Sequence, residues 1–226
     1  MPLIRECVVT TLNAAGEPHL APLGLIEDGD HWIIAPFRPS TTLKHLEARG
    51  QATASFIDDA EVFAGFVTGR RDWPLAAIDG WPAPRLECAL AHAELEVARV
   101  AADEQRPRFF CAVRRIESHR PFLGMNRARA AVLEAAILST RLHMLPREKI
   151  DSEIAYLKIA IDKTAGAGER AAWERVMAKF AAHFGAGGCG GRALLPLPAR
   201  RERAGVRGIR TRCSTPPRIR WPNQLT

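Results

Sequence analysis

No stretch of the 226-residue chain reaches the roughly 18 consecutive apolar residues that a membrane-crossing helix requires. The opening M-P-L-I-R-E has no charged start followed by an apolar run, so no secretory signal is expected and the expected compartment is the cytoplasm. The five cysteines (Cys7, Cys88, Cys111, Cys189, Cys213) form no C-x-x-C and no paired spacing. That pattern excludes a zinc ribbon or a disulfide frame and fits reduced thiols. No internal repeat is present, and neither is any G-x-x-x-x-G-K-[ST], H-E-x-x-H or G-x-S-x-G. Gly166-Ala167-Gly168 follows a helical pattern rather than a strand, so it reads as a linker and not as a dinucleotide loop. No metal site is expected: the seven histidines are dispersed, and His92 with Glu94 on one strand face reads as a structural pair.

Basic charge is missing from the body and concentrated at the end. The net charge is +7, which by itself suggests a nucleic-acid partner. Residues 185–226, however, hold nine arginines, no lysine and one acid, a net of +8, which leaves −1 for residues 1–184. Glycine and proline supply 12 of those 42 residues, and no apolar period is sustained. The segment reads as disordered. Its Arg/Gly/Pro/Ala bias favours a read-through product over an RNA-binding arm, because such arms mix lysine with arginine and carry aromatics, and here there is only Trp221.

What is present begins with short strands. Residues 4–12 are rich in Val and Thr, and 18–26 follow after the turn at 13–17. Pro22 and Gly24 inside the second segment predict a bulge or a close approach of backbone to a ligand. A hairpin turn at 27–30 leads to a strand at 31–36, a short helix ending near Gly50, a strand at 51–57 and a helix from Asp58. Residues 68–85 read as a long loop whose Trp73 and Trp81 serve either as an interface or as anchors to the loop's own core. Residues 86–98 and 108–116 read as further strands. From Asn126 the pattern is helical, with apolar positions at 130, 133, 137 and 138. A second helix follows Pro146 with a stripe at Ile150, Ile154, Leu157 and Ile161, and a third covers about 169–184. The strands are too closely linked for parallel crossovers, so an antiparallel barrel is expected.

The stretch around which the rest is organised is I-I-A-P-F-R-P-S-T-T-L-K-H-L, residues 33–46. A strand runs into a hydroxyl-rich turn and then into a helix N-terminus. The first N–H groups of a helix lack intrahelical partners, and its dipole favours an anion there. Ser40, Thr41 and Thr42 supply hydroxyls, and Arg38 supplies a planar cation suited to phosphate. The competing reading is a plain N-cap beside a surface arginine.

The chain also carries V-V-T-T-L-N-x-x-G-E-P-x-x-A-P-L-G, R-P-S-T-T-x-x-H-L and A-S-F-I-D-D-x-x-x-F. In these it resembles the FMN-binding split-barrel proteins, the group of flavin reductases and pyridoxamine-phosphate oxidase-like proteins. The later N-R-A-R-A-A-V-L-E-A-A-I-L-S-T-R-L is similar to the domain-of-unknown-function 447 family within that group. The resemblance covers residues 3–182. It implies an α+β fold: an antiparallel split β-barrel over 1–122, a helical C-terminal unit over 123–184, and the tail at 185–226. It implies FMN in a groove between the two copies of a homodimer. The phosphate would lie on Arg38, Ser40, Thr41 and Thr42, and the ring along Ala21, Pro22, Leu23 and Gly24. His45 and Ser55 stand where the family carries asparagine, at two positions that contact the flavin. Arg127 and Glu134, seven apart on one helix face, are either pocket groups or an ordinary ion pair. The functional expectation is a flavin-dependent oxidoreductase acting on a small molecule. The alternatives are a flavin-binding protein without turnover and, last, a nucleic-acid binder through the basic tail.

Overall fold

The computed structural model describes residues 2–185. In chain order the elements are β1 (Ile4–Leu12), β2 (Pro18–Asp28), β3 (His31–Ile34), α1 (Thr41–Arg49), β4 (Gln51–Phe56) and α2 (Ala60–Val67). They continue with β5 (Leu75–Ile78), β6 (Trp81–Leu86), β7 (Ala91–Ala101), β8 (Arg108–Ser118), α3 (Arg127–Ser139), α4 (Arg147–Thr164) and α5 (Ala167–Gly185).

Six strands close an antiparallel barrel in the order β1-β2-β3-β8-β7-β4. Successive side chains on a strand alternate between the two faces, so each strand divides its residues between the barrel interior and the outer wall. Cys7, Val9, Leu25, Ala54, Leu95 and Phe109 fill the interior. The same interior cluster takes Leu43 and Leu46 from α1, so that helix plugs one end of the barrel. Full burial of each leucine contributes roughly 1.5–3 kcal/mol. Ser40 caps the start of α1, and Gly50 ends it in the left-handed conformation at φ 65°, which glycine adopts without a Cβ penalty.

Val8 faces the opposite way and packs with Val62 and Phe66 of α2 and with Leu86. The other side of α2, Ala60, Phe63 and Ala64, joins a separate core with α3, α4 and α5. Alanine dominates α3 at that contact, with Ala128, Ala131, Ala135 and Ala136 all buried, which lets the helix axes come close.

The expected barrel and helical unit are both present, with several local corrections. There is no bulge at Pro22 and Gly24: β1 and β2 pair in unbroken register from Ile4↔Ile26 to Leu12↔Pro18. β3 stops at Ile34, and Ala35 and Pro36 continue as buried coil. Residues 68–85 are not a loop throughout, because β5 and β6 form a hairpin there. The strand expected over 86–98 begins only at Ala91, as β7: Leu86 is the last residue of β6, and 87–90 form the turn between them, just before the phase shift. On α3, Ala130 is exposed and Leu133 and Ile137 are half-buried, because the helix buries its alanine face instead. The readings made for 186–226 lie outside the described residues.

Candidate functional site

The turn before α1 is held in place by the barrel. The N–H of Arg38 donates to the carbonyl of Gln105 (2.8 Å), and Arg106 Nε donates to the carbonyl of Ala35 (2.7 Å). The Arg38–Pro39 peptide is cis. Ser40 Oγ accepts from the N–H of Leu43 (3.3 Å), so the plain capping role is real. The first helical bond runs from the Lys44 N–H to the Ser40 carbonyl (3.3 Å). The N–H groups of Thr41 and Thr42 therefore precede the ladder and have no intrahelical acceptor. Thr41 is exposed, Ser40 is half-buried and Thr42 is buried. Arg38 does not sit over this terminus. Its Nη2 lies 3.6 Å from Glu47 Oε1, farther along α1, and both side chains are about half exposed. An exposed pair of that kind is worth little, so the guanidinium is easily recruited elsewhere.

The second strand has an open edge. β2 pairs along its whole length with β1 but with β3 only at Ile26, Glu27 and Asp28. Ala21, Pro22, Leu23 and Gly24 all lie on the part without a second neighbour, and all four are half-buried. Pro22, which has no N–H, is tolerated on such an edge. Gly24 has an internal reason to be glycine: a Cβ there would meet Ile4 Cγ2 at 2.7 Å. The close approach predicted at that position is to the neighbouring strand's side chain. Toward the start of β2, His45 Nδ1 shares a hydrogen bond with Thr11 Oγ1 (3.2 Å), and its ring meets His19 edge-on at 5.6 Å. Burial lowers the His19 pKa, and His45 and Arg71 push it the same way.

Ser55 is placed differently. It is fully buried on the outer wall, and its Oγ accepts from the N–H of Leu86 (3.0 Å) beneath the β5–β6 hairpin. It offers no surface to a ligand. It belongs to a buried polar row of which the sequence reading found only the His92–Glu94 pair. Thr53 Oγ1 donates to the Ala83 carbonyl (2.6 Å) and accepts from Trp81 Nε1 (3.0 Å). Glu94 Oε1 accepts from Arg115 Nε (2.7 Å), and Arg115 Nη2 reaches the Asp79 carbonyl (3.0 Å). His92 Nδ1 lies 2.8 Å from His119 Nε2, with the rings parallel. Among the described residues the buried Thr10 Oγ1 and His92 Nε2 have no hydrogen-bond partner, though His92 Nε2 lies 3.5 Å from Glu94 Oε1. The signal was legible as polar residues at every second position, T-x-S on β4, H-x-E on β7 and R-x-E-x-H from β8 onward. Trp73 packs on Phe66 at 5.7 Å and lies under Arg70 at 3.8 Å. Both tryptophans of 68–85 thus anchor the segment to its own barrel.

Arg127 and Glu134 do not pair; Glu134 lies toward Glu6, whose carboxyl pKa is raised by burial first and by Glu134 second. The arginine of that helix start that does pair is Arg129, which bridges Asp58 and Glu169. The thiols of Cys7 and Cys111 are pushed up to about 12 by burial and are chemically quiet. Among the described residues no group of His, Cys, Asp and Glu is arranged to hold a metal. No described helix is long and apolar enough to cross a membrane.

The donor set suits a phosphate-bearing cofactor. Two uncommitted N–H groups and three hydroxyls stand at one helix terminus, a guanidinium that now lies beside Glu47 is one residue before the turn's proline, and an open strand edge lies on the same barrel.

Residues 5–120 match the family model described as "Protein of unknown function (DUF447) N-terminal domain", and residues 126–178 match the model described as "Protein of unknown function (DUF447)". A solved FMN-bound protein of Methanosarcina mazei, carrying the same family model, superposes with a TM-score of 0.68 at 20% identity over 79% of this chain and 96% of that one. That likeness shows the fold. The 2-nitrobenzoate 2-nitroreductase of Pseudomonas fluorescens reaches a TM-score of 0.45 at 19% identity, over 53% of this chain and 66% of that one. The styrene monooxygenase flavin reductase of Pseudomonas putida reaches 0.45 at 17%, over 51% and 80%. No curated protein matches.

Proposed function

This chain belongs to the DUF447 family of proteins of unknown function, and from that premise we propose that it binds FMN and acts as a flavin-dependent oxidoreductase on a small molecule. The observation that carries the reading is the exposed, hydroxyl-bearing N-terminus of α1, where the N–H groups of Thr41 and Thr42 are free. The FMN-bound relative of the same family supports it.

In this reading Thr41 and Thr42 hold the phosphate by backbone and hydroxyl, with Ser40 fixing the turn. Arg38 leaves Glu47 and supplies charge. The edge of β2 at Ala21–Gly24 supports the ring, and His45, whose Nδ1 is committed to Thr11, offers Nε2 as a polar contact. Bound FMN supplies electron transfer; the chain supplies binding, orientation and access. A homodimer closes the groove from the other side.

The test is the visible absorbance of the purified full chain, followed by mass analysis of the released cofactor. Flavin absorbance with FMN released is expected. Colourless protein that also fails to take up added FMN overturns the reading. NADH or NADPH consumption with an acceptor then separates an oxidoreductase from a flavin carrier.

A further inference from the structure

One patch on the outer wall of the barrel is apolar but does not face water. Ile33, Ala35 and Phe110 form a small cluster there, exposed by 0%, 6% and 5%. Arginines roof it. The Arg99 guanidinium lies 3.3 Å from the centre of the Phe110 ring, and that of Arg108 lies 5.5 Å from the same ring. Arg99 faces Phe110 across the β7–β8 pair, and Arg108 is two residues before Phe110 on β8, so the side chains share a face. The two cations are then at most about 9 Å apart, within one Debye length at ordinary ionic strength, and they repel. Beside them, Arg106 lies 4.8 Å from the ring of Phe37, which is 63% exposed.

Arginine stems often cover apolar surface merely to keep it dry. Two facts exceed that role. Arg99 and Arg108 converge on one buried aromatic ring, and among the described residues neither lies within ion-pair distance of a carboxylate, a state they share with Arg106 and with eight other arginines. The intervening turn has an acid, Asp103, but its Oδ1 accepts the N–H groups of Gln105 and Arg106 and shapes the turn instead. Next, a large aromatic side chain is left open at the edge of the cationic patch. Arg106 is fixed there by its bond to the Ala35 carbonyl. Stacked guanidiniums keep their in-plane N–H groups free, which suits phosphate oxygens, and an open ring suits a base.

We propose that this wall binds a nucleotide diphosphate, with its phosphates on Arg99 and Arg108 and its base against Phe37 beside Arg106. The site uses none of the residues assigned to FMN, although Phe37 directly precedes Arg38 in the turn before α1. The diphosphate can arrive as a free nucleotide or as half of a dinucleotide.

The experiment is calorimetric titration of the full chain, in its purified flavin state, with ADP, pyrophosphate and adenosine. ADP is expected to saturate, with pyrophosphate roughly tenfold weaker and adenosine weaker still. R99Q/R108Q is expected to weaken ADP by roughly tenfold or more, since both side chains are exposed and the fold does not depend on their charge. F37A is expected to weaken ADP but not pyrophosphate. NADH and NADPH are titrated in parallel, and tighter binding than ADP identifies a dinucleotide as the source. ADP affinity unchanged in R99Q/R108Q overturns the proposal, and it is also what binding by the arginines of 185–226 would give. Pyrophosphate binding as tightly as ADP, or no saturation at millimolar ADP, overturns it too. Flavin content of R99Q/R108Q is measured alongside, so loss of nucleotide binding with flavin retained concerns this site alone.

Discussion

His119 shows how one side chain can set a pH dependence. Burial disfavours its charged form most, and Arg85 and His92 add to that effect, while Glu117 opposes it. The folded pKa therefore lies below the ordinary value of about 6.5. The stability that this shift represents is fully present above the unfolded pKa and is lost as pH falls from there through the folded pKa. His19 is shifted the same way. The melting temperature should thus fall between pH 7.5 and 5.5, and His119→Gln should flatten part of that slope; an unchanged slope would remove His119 from the account. The Arg38–Glu47 pair makes a paired prediction. Arg38→Ala should weaken FMN by roughly tenfold to a hundredfold, as expected for one charge-assisted contact. Glu47→Ala, which releases the guanidinium, should leave FMN binding equal or tighter. Riboflavin should be indifferent to both, and equal loss of riboflavin in Arg38→Ala would make Arg38 structural. The cap at Ser40 could be read from the sequence because it depends on neighbours three residues away. The pairing of Arg38 with Glu47 could not, since a long exposed side chain has many partners within reach.

Among the elements, the start of α3 holds most. Asn126 Oδ1 accepts from the N–H groups of Ala128 and Arg129, and its Nδ2 donates to the Thr164 carbonyl at the end of α4 (3.1 Å). The N-R-A-R sequence is therefore a joint between helices. Asn126→Ala should cost about 1 kcal/mol for the cap alone. That corresponds to a loss of roughly 2–4 °C in melting temperature for a chain of this size. A second test lies in α2, where a Cβ on Gly65 would stand 2.4 Å from Trp73 Cζ2. Trp73 is held between Phe66 and Arg70 and has little room to yield. Gly65→Ala should destabilise by about 1–3 kcal/mol, measured by denaturant unfolding. The β5–β6 hairpin escaped the sequence reading for a physical reason. Pro74, Pro82 and Pro84 argue against a strand, yet β6 pairs only with β5, and an edge strand tolerates proline.

At the level of the whole molecule, the barrel was legible because it depends on local signals: alternating strands, short turns and no room for crossovers. The site was legible in part for the same reason, since the α1 terminus is contiguous in sequence. The burial of Ser55 was not legible, because its environment is set by a hairpin some thirty residues away. A homodimer remains the expected assembly. Trp73 and Trp81 are anchored internally, whereas Leu123 and Met125 are 90% and 94% exposed and stand free for such a contact. Sedimentation at micromolar concentration should show a dimer, and a clean monomer that retains flavin would remove that expectation.

The position of α2 has a further consequence during synthesis. It lies between two barrel strands in the chain, yet Phe63 packs with Val176 and Phe180 of α5, more than a hundred residues later. At ribosomal speeds that interval lasts on the order of ten seconds. Throughout it, a nascent chain with most of its barrel strands already made still presents a bare aromatic helix face. Chaperones that recognise such faces should therefore engage this polypeptide after the barrel sequence has emerged and release it once α5 is out. Ribosome-bound fragments ending near residue 122 should be captured more strongly than those carrying residues 1–185 clear of the exit tunnel.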